Sequence, residues 1–122
     1  MAEEGKLMVQ TIKEITLVIF QDESILDPLQ VQDIGEKLHR LIENEDRQRM
    51  ILDFQKVKIL SSQMLGVLIG MLKRINSSKG RIVICGMKAE LFKVFKITNL
   101  DKLFSFYDGE GQALRSFESA AL

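Results

Sequence analysis

Two adjacent serines, Ser61 and Ser62, stand where a strand-like segment gives way to a helical pattern. A serine at a helix start can act as the N-cap, because its hydroxyl oxygen accepts a hydrogen bond from an N–H of the first turn. A hydroxyl there is also accessible to solvent, and the helix dipole favours an added anion. The pair therefore predicts an N-cap. It is also compatible with a phosphate acceptor, which would bring about −1.5 to −2 charges to the surface.

The other nucleophiles and bases in the sequence do not form a catalytic set. His39 lies among polar positions of a predicted helix, so we expect it to be exposed and without a catalytic partner. Cys85 ends the most β-branched run of the chain, where we expect a buried, unreactive thiol. Phosphate-binding loops, zinc-protease motifs and nucleophile elbows are missing from the sequence. We therefore expect no enzyme, no cofactor and no metal.

Carboxylates occur at two further places of interest. Asp53 closes a short apolar run, and the carboxyl ends of parallel strands face the ligand side of a sheet. A hydrogen bond to the following loop explains this aspartate equally well. Asp22, Glu23 and Asp27 share one loop, but they lack the spacing of metal ligands. We interpret that loop as a solvated turn in which Asp27 caps a helix.

Hydrophobic periodicity predicts the elements that must position these residues. Runs of alternating or β-branched apolar residues indicate strands, and apolar residues three or four apart indicate helices. The predicted strands cover residues 7–12, 15–20, 50–54, 81–85 and 103–107, with a strand-like segment at 57–60. The predicted helices cover residues 31–42, 88–96 and 113–121, and one more helix runs from Ser61 or Ser62 to residue 75. Residues 108–112 are predicted as a turn. Gly66 and Gly70 are expected to allow close packing of their helix on the sheet.

The order of these elements is ββαβαβαβα, which predicts an α/β fold. Strands that alternate with helices imply crossover connections and a mixed, mostly parallel sheet of four to five strands with about four helices. The first two strands predict an antiparallel hairpin, although Lys13 and Glu14 between them lack the usual glycine signal. With 122 residues, the chain is expected to form a single domain, residues 1–122.

Composition excludes several classes of protein. The 17 basic and 17 acidic residues balance, which argues against direct binding to nucleic acid. One cysteine and one histidine rule out an internal disulfide and a Cys/His zinc site. The longest apolar run has nine residues, whereas a membrane span needs about 20, so no membrane insertion is expected. The N-terminus begins acidic without a following apolar block, so we expect no signal peptide and a cytoplasmic location.

Residues 50–114 carry an ordered set of phrases that resembles the STAS domain of bacterial anti-sigma factor antagonists. No single phrase is diagnostic, but their order and spacing together are specific, and residues 1–45 fit the family by pattern only. The phrases are a strand that ends in Leu52-Asp53, a V-x-x-L segment at 57–60, Leu65-Gly66 after the serine pair, RIVICG at 81–86, and the segments 90–95 and 97–104.

The resemblance implies a fold of four helices around a mixed sheet and a role as a binding switch. An antagonist of this family binds an anti-sigma factor that is also a serine protein kinase, and this frees a sigma factor for transcription. Phosphorylation of one serine at the start of the second helix breaks the complex. A serine phosphatase resets it.

The family's motif, Asp-Ser-Ser/Thr-Gly-Leu-Gly, can be aligned on Leu65-Gly66, which places the modified serine at Ser62, with Ser61 the less favoured alternative. Ser61 then replaces the family's Asp, so a negative charge beside the acceptor is lost. Gln63 replaces the second Ser/Thr. Met64 replaces Gly, and we expect its side chain on the surface. The residues implied to contact the partner are Asp22, Glu23, Asp27, Ser61, Ser62, Gln63 and Met64.

A second interpretation keeps the fold and removes the switch. In it the chain is a STAS scaffold of a signalling complex, or the soluble subunit of a lipid or anion transport system, and Ser62 is only a cap. The protein that co-purifies distinguishes the two interpretations. Whether the chain also forms a homodimer is left open by the sequence.

Overall fold

The computed structural model describes residues 6–43 and 48–120. Residues 1–5, which include Glu3 and Glu4 of the acidic N-terminus, and position 121 of the predicted last helix lie outside this range. No helix among the described residues is long and apolar enough to cross a membrane. The elements in chain order are β1 (Leu7–Ile12), β2 (Ile15–Phe20), β3 (Ser24–Ile25), α1 (Pro28–Glu43), β4 (Arg49–Asp53), β5 (Ile59–Leu60), α2 (Ser62–Ser77), β6 (Arg81–Cys85), α3 (Ala89–Ile97), β7 (Ser105–Tyr107) and α4 (Glu110–Ala120).

Five strands form the main sheet in the order β1-β2-β4-β6-β7. Only β1 and β2 pair antiparallel, and β2–β4, β4–β6 and β6–β7 are parallel. The predicted hairpin is confirmed, with Ile12 opposite Ile15 and the turn made by Lys13 and Glu14. Both turn residues have positive φ, 50° and 69°, so the turn takes the left-handed conformation without glycine. The predicted α/β fold, with its mixed sheet and four described helices, is confirmed.

The central strands β2, β4 and β6 are buried on both faces, and adjacent residues of each strand enter opposite cores. Leu52 and Ile84 face a core formed with α1, α2 and α3, whereas Ile51 and Val83 face a smaller core under α4. The central strands therefore read as continuous apolar runs rather than alternating ones. Cys85 belongs to the smaller core and is buried, as predicted.

Several boundaries differ from the sequence-based expectations. Helix α1 begins at Pro28, three residues before the predicted start, because proline suits the first helical position and Asp27 caps it. The predicted strand 103–107 shortens to β7, since a 3-10 helix occupies Leu100–Lys102. The predicted turn 108–112 was partly wrong: α4 already begins at Glu110, and its Gly111 lies within the first turn.

Candidate functional site

The two serines occupy different positions at the start of α2. Ser61 is the N-cap: its backbone is extended (φ −80°, ψ 161°), and its Oγ accepts a hydrogen bond from the N–H of Met64 at 3.1 Å. Its carbonyl oxygen accepts a second hydrogen bond from the N–H of Leu65 at 3.2 Å. The predicted N-cap is therefore present, and Ser61, not Ser62, is the residue that forms it.

Ser62 is the first residue of the helix and is exposed, as is Gln63 beside it. With Ser61 acting as the cap, the Ser62 hydroxyl is not needed to hold the helix start. The helix has 16 residues, and no acidic side chain lies in its first turn. No carboxylate of the first turn therefore offsets the positive end of the helix dipole near Ser62.

The expectation that Met64 is a surface residue was wrong. Its side chain is fully buried and belongs to the main core. The reason is helical spacing: a residue three positions after the N-cap falls on the inward face of α2. This face continues along the helix through Leu68, Met71, Leu72 and Ile75.

A second, two-stranded sheet brings the acidic loop next to the serines. Strand β3 pairs in parallel with β5, with Ile25 opposite Leu60. The N–H of Ser61 donates to the carbonyl oxygen of Ile25 at 2.9 Å, and the N–H of Lys58 donates to that of Glu23 at 2.7 Å. The segments that follow β2 and β4 are thus joined by backbone hydrogen bonds, so the segment of Glu23 runs alongside the segment that leads into Ser62.

Two of the three loop carboxylates hold the backbone in place. Asp27 caps α1, because its Oδ1 accepts hydrogen bonds from the N–H groups of Leu29 at 2.8 Å and Gln30 at 3.3 Å. Asp22 accepts from the N–H of Lys6 at 2.9 Å and from the side-chain amide of Gln30 at 3.1 Å. Both carboxylates are half-buried, so they shape the loop more than they offer free charge.

The third carboxylate, Glu23, is exposed and forms an ion pair with Lys58 at 3.0 Å. The hydrogen bond and the charge of Lys58 lower the pKa of Glu23 below its usual value, and the charge of Lys88 adds to this effect. The loop therefore carries a balanced ion pair at its exposed edge. The sequence reasoning missed Lys58, because it grouped the acidic residues of the loop without the residue opposite them.

The chain segments that carry this ion pair also carry exposed aliphatic side chains. Leu26 is 47%, Leu29 61% and Ile59 46% exposed. The sequence reasoning missed them, because Val57 and Ile59 are two residues apart and would share one face of a regular strand, whereas Val57 is buried and Ile59 is exposed. The exposed residues Glu23, Leu26, Leu29, Lys58, Ile59, Ser62 and Gln63 are together called the docking face, a name that refers to the role proposed for them.

A stripe without side chains continues from Ser62 along the outer side of α2. Gly66 and Gly70 follow Ser62 at intervals of four residues, and all three are exposed. A Cβ added at either glycine would meet no other atom within 4 Å. The expectation that these glycines pack the helix against the sheet was therefore wrong, because they lie on its solvent side.

Asp53 lies at the carboxyl end of β4 and is buried, with 3% of its surface exposed. Its Oδ1 accepts a hydrogen bond from the N–H of Gln55 at 2.9 Å, which confirms the loop interpretation. A hydrogen bond between the Asp53 and Glu110 side chains, together with burial and the charge of Asp53, raises the pKa of Glu110 to about 7. Gly86, at φ +70°, lies against the Asp53 carboxylate. A Cβ at this position would approach the Asp53 Oδ1 to 3.2 Å.

The remaining two candidates agree with their predicted environments. Burial, followed by the charges of Asp53 and Glu110, raises the pKa of Cys85 to about 12, so its thiol stays protonated. His39 is exposed on α1, as expected.

Known proteins resemble the chain in sequence and in fold. An anti-sigma F factor antagonist of Paenibacillus polymyxa is 24% identical over 82 residues, which cover 67% of this chain and 70% of that protein. An anti-sigma factor antagonist from Mycobacterium paratuberculosis matches with a TM-score of 0.80 at 16% identity, over 95% of this chain and 96% of the other. The phosphorylated form of the Bacillus cell fate determinant SpoIIAA matches with a TM-score of 0.72 at 16% identity, over 92% and 99% of the two chains.

The two structural matches show that the fold is shared. A family model described as the STAS domain matches residues 6–113, most of the chain. The same residues contain the five-stranded sheet, both serines and the docking face. The chain therefore belongs to the STAS domain family.

Proposed function

We propose that the protein is an anti-sigma factor antagonist, which binds an anti-sigma factor with serine kinase activity and so frees a sigma factor for transcription. The observation that carries the proposal is the exposed Ser62 hydroxyl, which has no capping duty and borders an exposed aliphatic surface. The relative from Paenibacillus polymyxa, an anti-sigma F factor antagonist, supports it.

The docking face has the composition of a surface that binds another protein. Leu26, Leu29 and Ile59 offer apolar area, and exposed aliphatic clusters mark interaction sites in soluble proteins. The Glu23–Lys58 ion pair supplies charges of both signs at their edge. Gly66 and Gly70 extend the face with a strip on which a partner can approach the helix backbone closely.

Phosphorylation of Ser62 is proposed as the switch that ends binding. A phosphate carries about −1.5 to −2 charges at neutral pH. Placed beside Leu26, Leu29 and Ile59, it would have to lose its hydration for the partner to dock, and an unpaired buried charge is costly. A serine phosphatase that removes the group restores the docking face.

The fold itself is expected to tolerate the phosphate. Ser62 is exposed, the cap is formed by Ser61, and no carboxylate lies in the first turn of α2 to repel the new charge. The helix dipole favours a negative group at this end. The switch would therefore act on docking and leave folding intact, with the chemistry performed on this protein by its partners rather than by it.

Affinity capture from the native host tests this proposal. The wild-type chain, Ser62→Asp and a control, Ser105→Asp, serve as baits, since Ser105 is an exposed serine on the edge strand β7. We expect the wild type and the control to retain the same protein and Ser62→Asp to lose it. The captured protein should also transfer phosphate from ATP to Ser62, as peptide mapping by mass spectrometry would show.

Two outcomes would contradict the proposal. One is a captured kinase that modifies other positions and leaves Ser62 unmodified. The other is capture of a transporter ATPase whose binding is the same for wild type and Ser62→Asp, which would establish the alternative role of a subunit in a transport system.

A further inference from the structure

A hollow of about 480 Å³ lies at the edge of the sheet opposite to the docking face. Its walls include Arg49 and Arg81, the first residues of the parallel strands β4 and β6. Lys79 reaches it from the turn after α2, and Phe117 from α4. Three cationic side chains from two chain segments, Arg49 from one and Lys79 with Arg81 from the other, therefore line one concave surface.

Two of these cations have no carboxylate partner among the residues that the structure describes. Arg49 and Lys79 are exposed, and neither forms an ion pair with any residue of the described ranges 6–43 and 48–120. Lys79 has a left-handed backbone with φ 62°, and its N–H donates to the carbonyl oxygen of Asn76 at 3.1 Å. The turn thus holds this lysine at the hollow in a backbone conformation that lysine seldom adopts.

The third cation, Arg81, is half-buried, and its contacts in the described part of the chain are all with neutral groups. Its Nη1 donates to the carbonyl oxygen of Ser116 at 3.2 Å and to the Ser116 hydroxyl at 3.3 Å. Its Nη2 donates to the hydroxyl of Tyr107 at 3.1 Å, and its guanidinium stacks 4.9 Å from the centre of the Phe117 ring. These contacts fix the group in place and leave its positive charge uncompensated.

The surroundings hold a further cation and one carboxylate that is paired with a lysine. Arg115 lines a neighbouring hollow together with Arg81. Glu118 lines another with Arg49, and this carboxylate is already paired with Lys13 at 3.9 Å. Like charges held close together repel one another, and a bound anion would relieve that repulsion.

We propose that this hollow binds a small phosphate-bearing ligand of two or more negative charges. Guanidinium and ammonium groups are the side chains that proteins use most for phosphate oxygens, and a multivalent anion can contact several of them at once. Arg81 provides a fixed charge, whereas exposed Arg49 and Lys79 can close on the ligand. The site is separate from Ser62 and does not depend on the proposed antagonist function.

Titration of the ¹⁵N-labelled protein by two-dimensional NMR tests the site. Pyrophosphate and, in a second arm, ATP are added at constant ionic strength, which is maintained with sodium chloride. We expect saturable shifts at residues 48–49, 78–81 and 115–117. Arg49→Gln and Lys79→Gln should each weaken binding by about tenfold, while Lys93→Gln, an exposed lysine on α3, should bind as the wild type does.

Both ligand arms bear on the proposal. Equal affinity for pyrophosphate and ATP would show that phosphate alone is recognised, and tighter ATP binding would add a contact to the nucleoside. Either result supports the site. Shifts that do not saturate, or unchanged affinity in both Arg49→Gln and Lys79→Gln, would overturn it. Arg81 is left unaltered because it also supports Tyr107, Ser116 and Phe117, and the spectra of the variants report whether the fold persists.

Discussion

At the residue scale, two neighbouring serines have different roles. The sequence predicts that one of them caps α2, but the choice depends on backbone dihedral angles that residue types do not encode, and the structure assigns it to Ser61. The burial of Met64 was mispredicted because its placement came from the family motif, where a glycine needs no space in the core. The helical spacing of Met64 and Leu68 pointed to the correct answer.

This division between the serines predicts different effects of the same substitution. Ser61→Ala removes the hydrogen bond to the Met64 N–H and should lower the free energy of unfolding by about 1 kcal/mol. Ser62→Ala removes an exposed hydroxyl and should change it by less than about 0.5 kcal/mol. Urea denaturation of both variants measures the difference. Equal losses in the two proteins would show that the cap is shared.

At the element scale, α2 has two faces with opposite functions. Its inner face was predictable, since apolar residues three and four apart recur from Met64 to Ile75. Its outer face was not, because glycines at positions 66 and 70 are compatible both with tight packing and with exposure, and only the tertiary structure decides. Two exposed glycines inside a helix reduce its stability, and among the described residues the space that a Cβ would take at either position is open.

Substitution of one of these glycines should therefore separate stability from binding. Gly66→Ala is expected to stabilise the fold by about 0.5–1 kcal/mol, because alanine is the better helix former and its Cβ meets no atom within 4 Å. The same change should weaken binding of the proposed anti-sigma partner, because the added methyl group protrudes from the glycine strip beside Ser62. Thermal denaturation and calorimetric titration give the two values.

The inward Leu68 provides the contrast for this prediction. Leu68→Ala should cost about 2–5 kcal/mol, because the side chain is fully buried in the main core. If Gly66→Ala destabilised the fold, or Leu68→Ala left it unchanged, the assignment of the two faces of α2 would be wrong.

At the scale of the whole molecule, the two ends of the sheet differ. The alternation of strands and helices predicted the mixed sheet and its five strands, because each periodic run maps onto one element. It did not reveal the two-stranded sheet of β3 and β5, whose strands have two residues each. That sheet places Glu23 beside Lys58, so the docking face could be predicted only in part. The cationic hollow at the opposite end combines residues far apart in the chain and has no local sequence signal.

The contact between α4 and the sheet predicts a pH-dependent stability. The pKa of Glu110 is raised to about 7 by its hydrogen bond to Asp53, so the folded state favours the protonated form. The contribution of protonated Glu110 to the free energy of unfolding is complete below the ordinary glutamate pKa, near about 4.3. It is lost as the pH rises through about 7. Denaturation of wild type and Glu110→Gln from pH 5 to 8 tests it.

The variant should remove most of the decline in stability over this range, because its amide does not ionise. Glu118→Gln, at an exposed glutamate of the same helix, should keep the slope of the wild type. If wild type and Glu110→Gln showed the same dependence on pH, Glu110 would not hold its proton in the folded state.

We propose above all that a phosphate on Ser62 controls docking. Calorimetric titration of the captured anti-sigma partner with the unmodified protein and with protein phosphorylated on Ser62 tests it most directly, with the folded state of both forms checked by circular dichroism. We expect the phosphorylated form to bind at least tenfold more weakly at equal thermal stability, and phosphatase treatment to restore the original affinity. Equal affinity of the two forms would contradict the account.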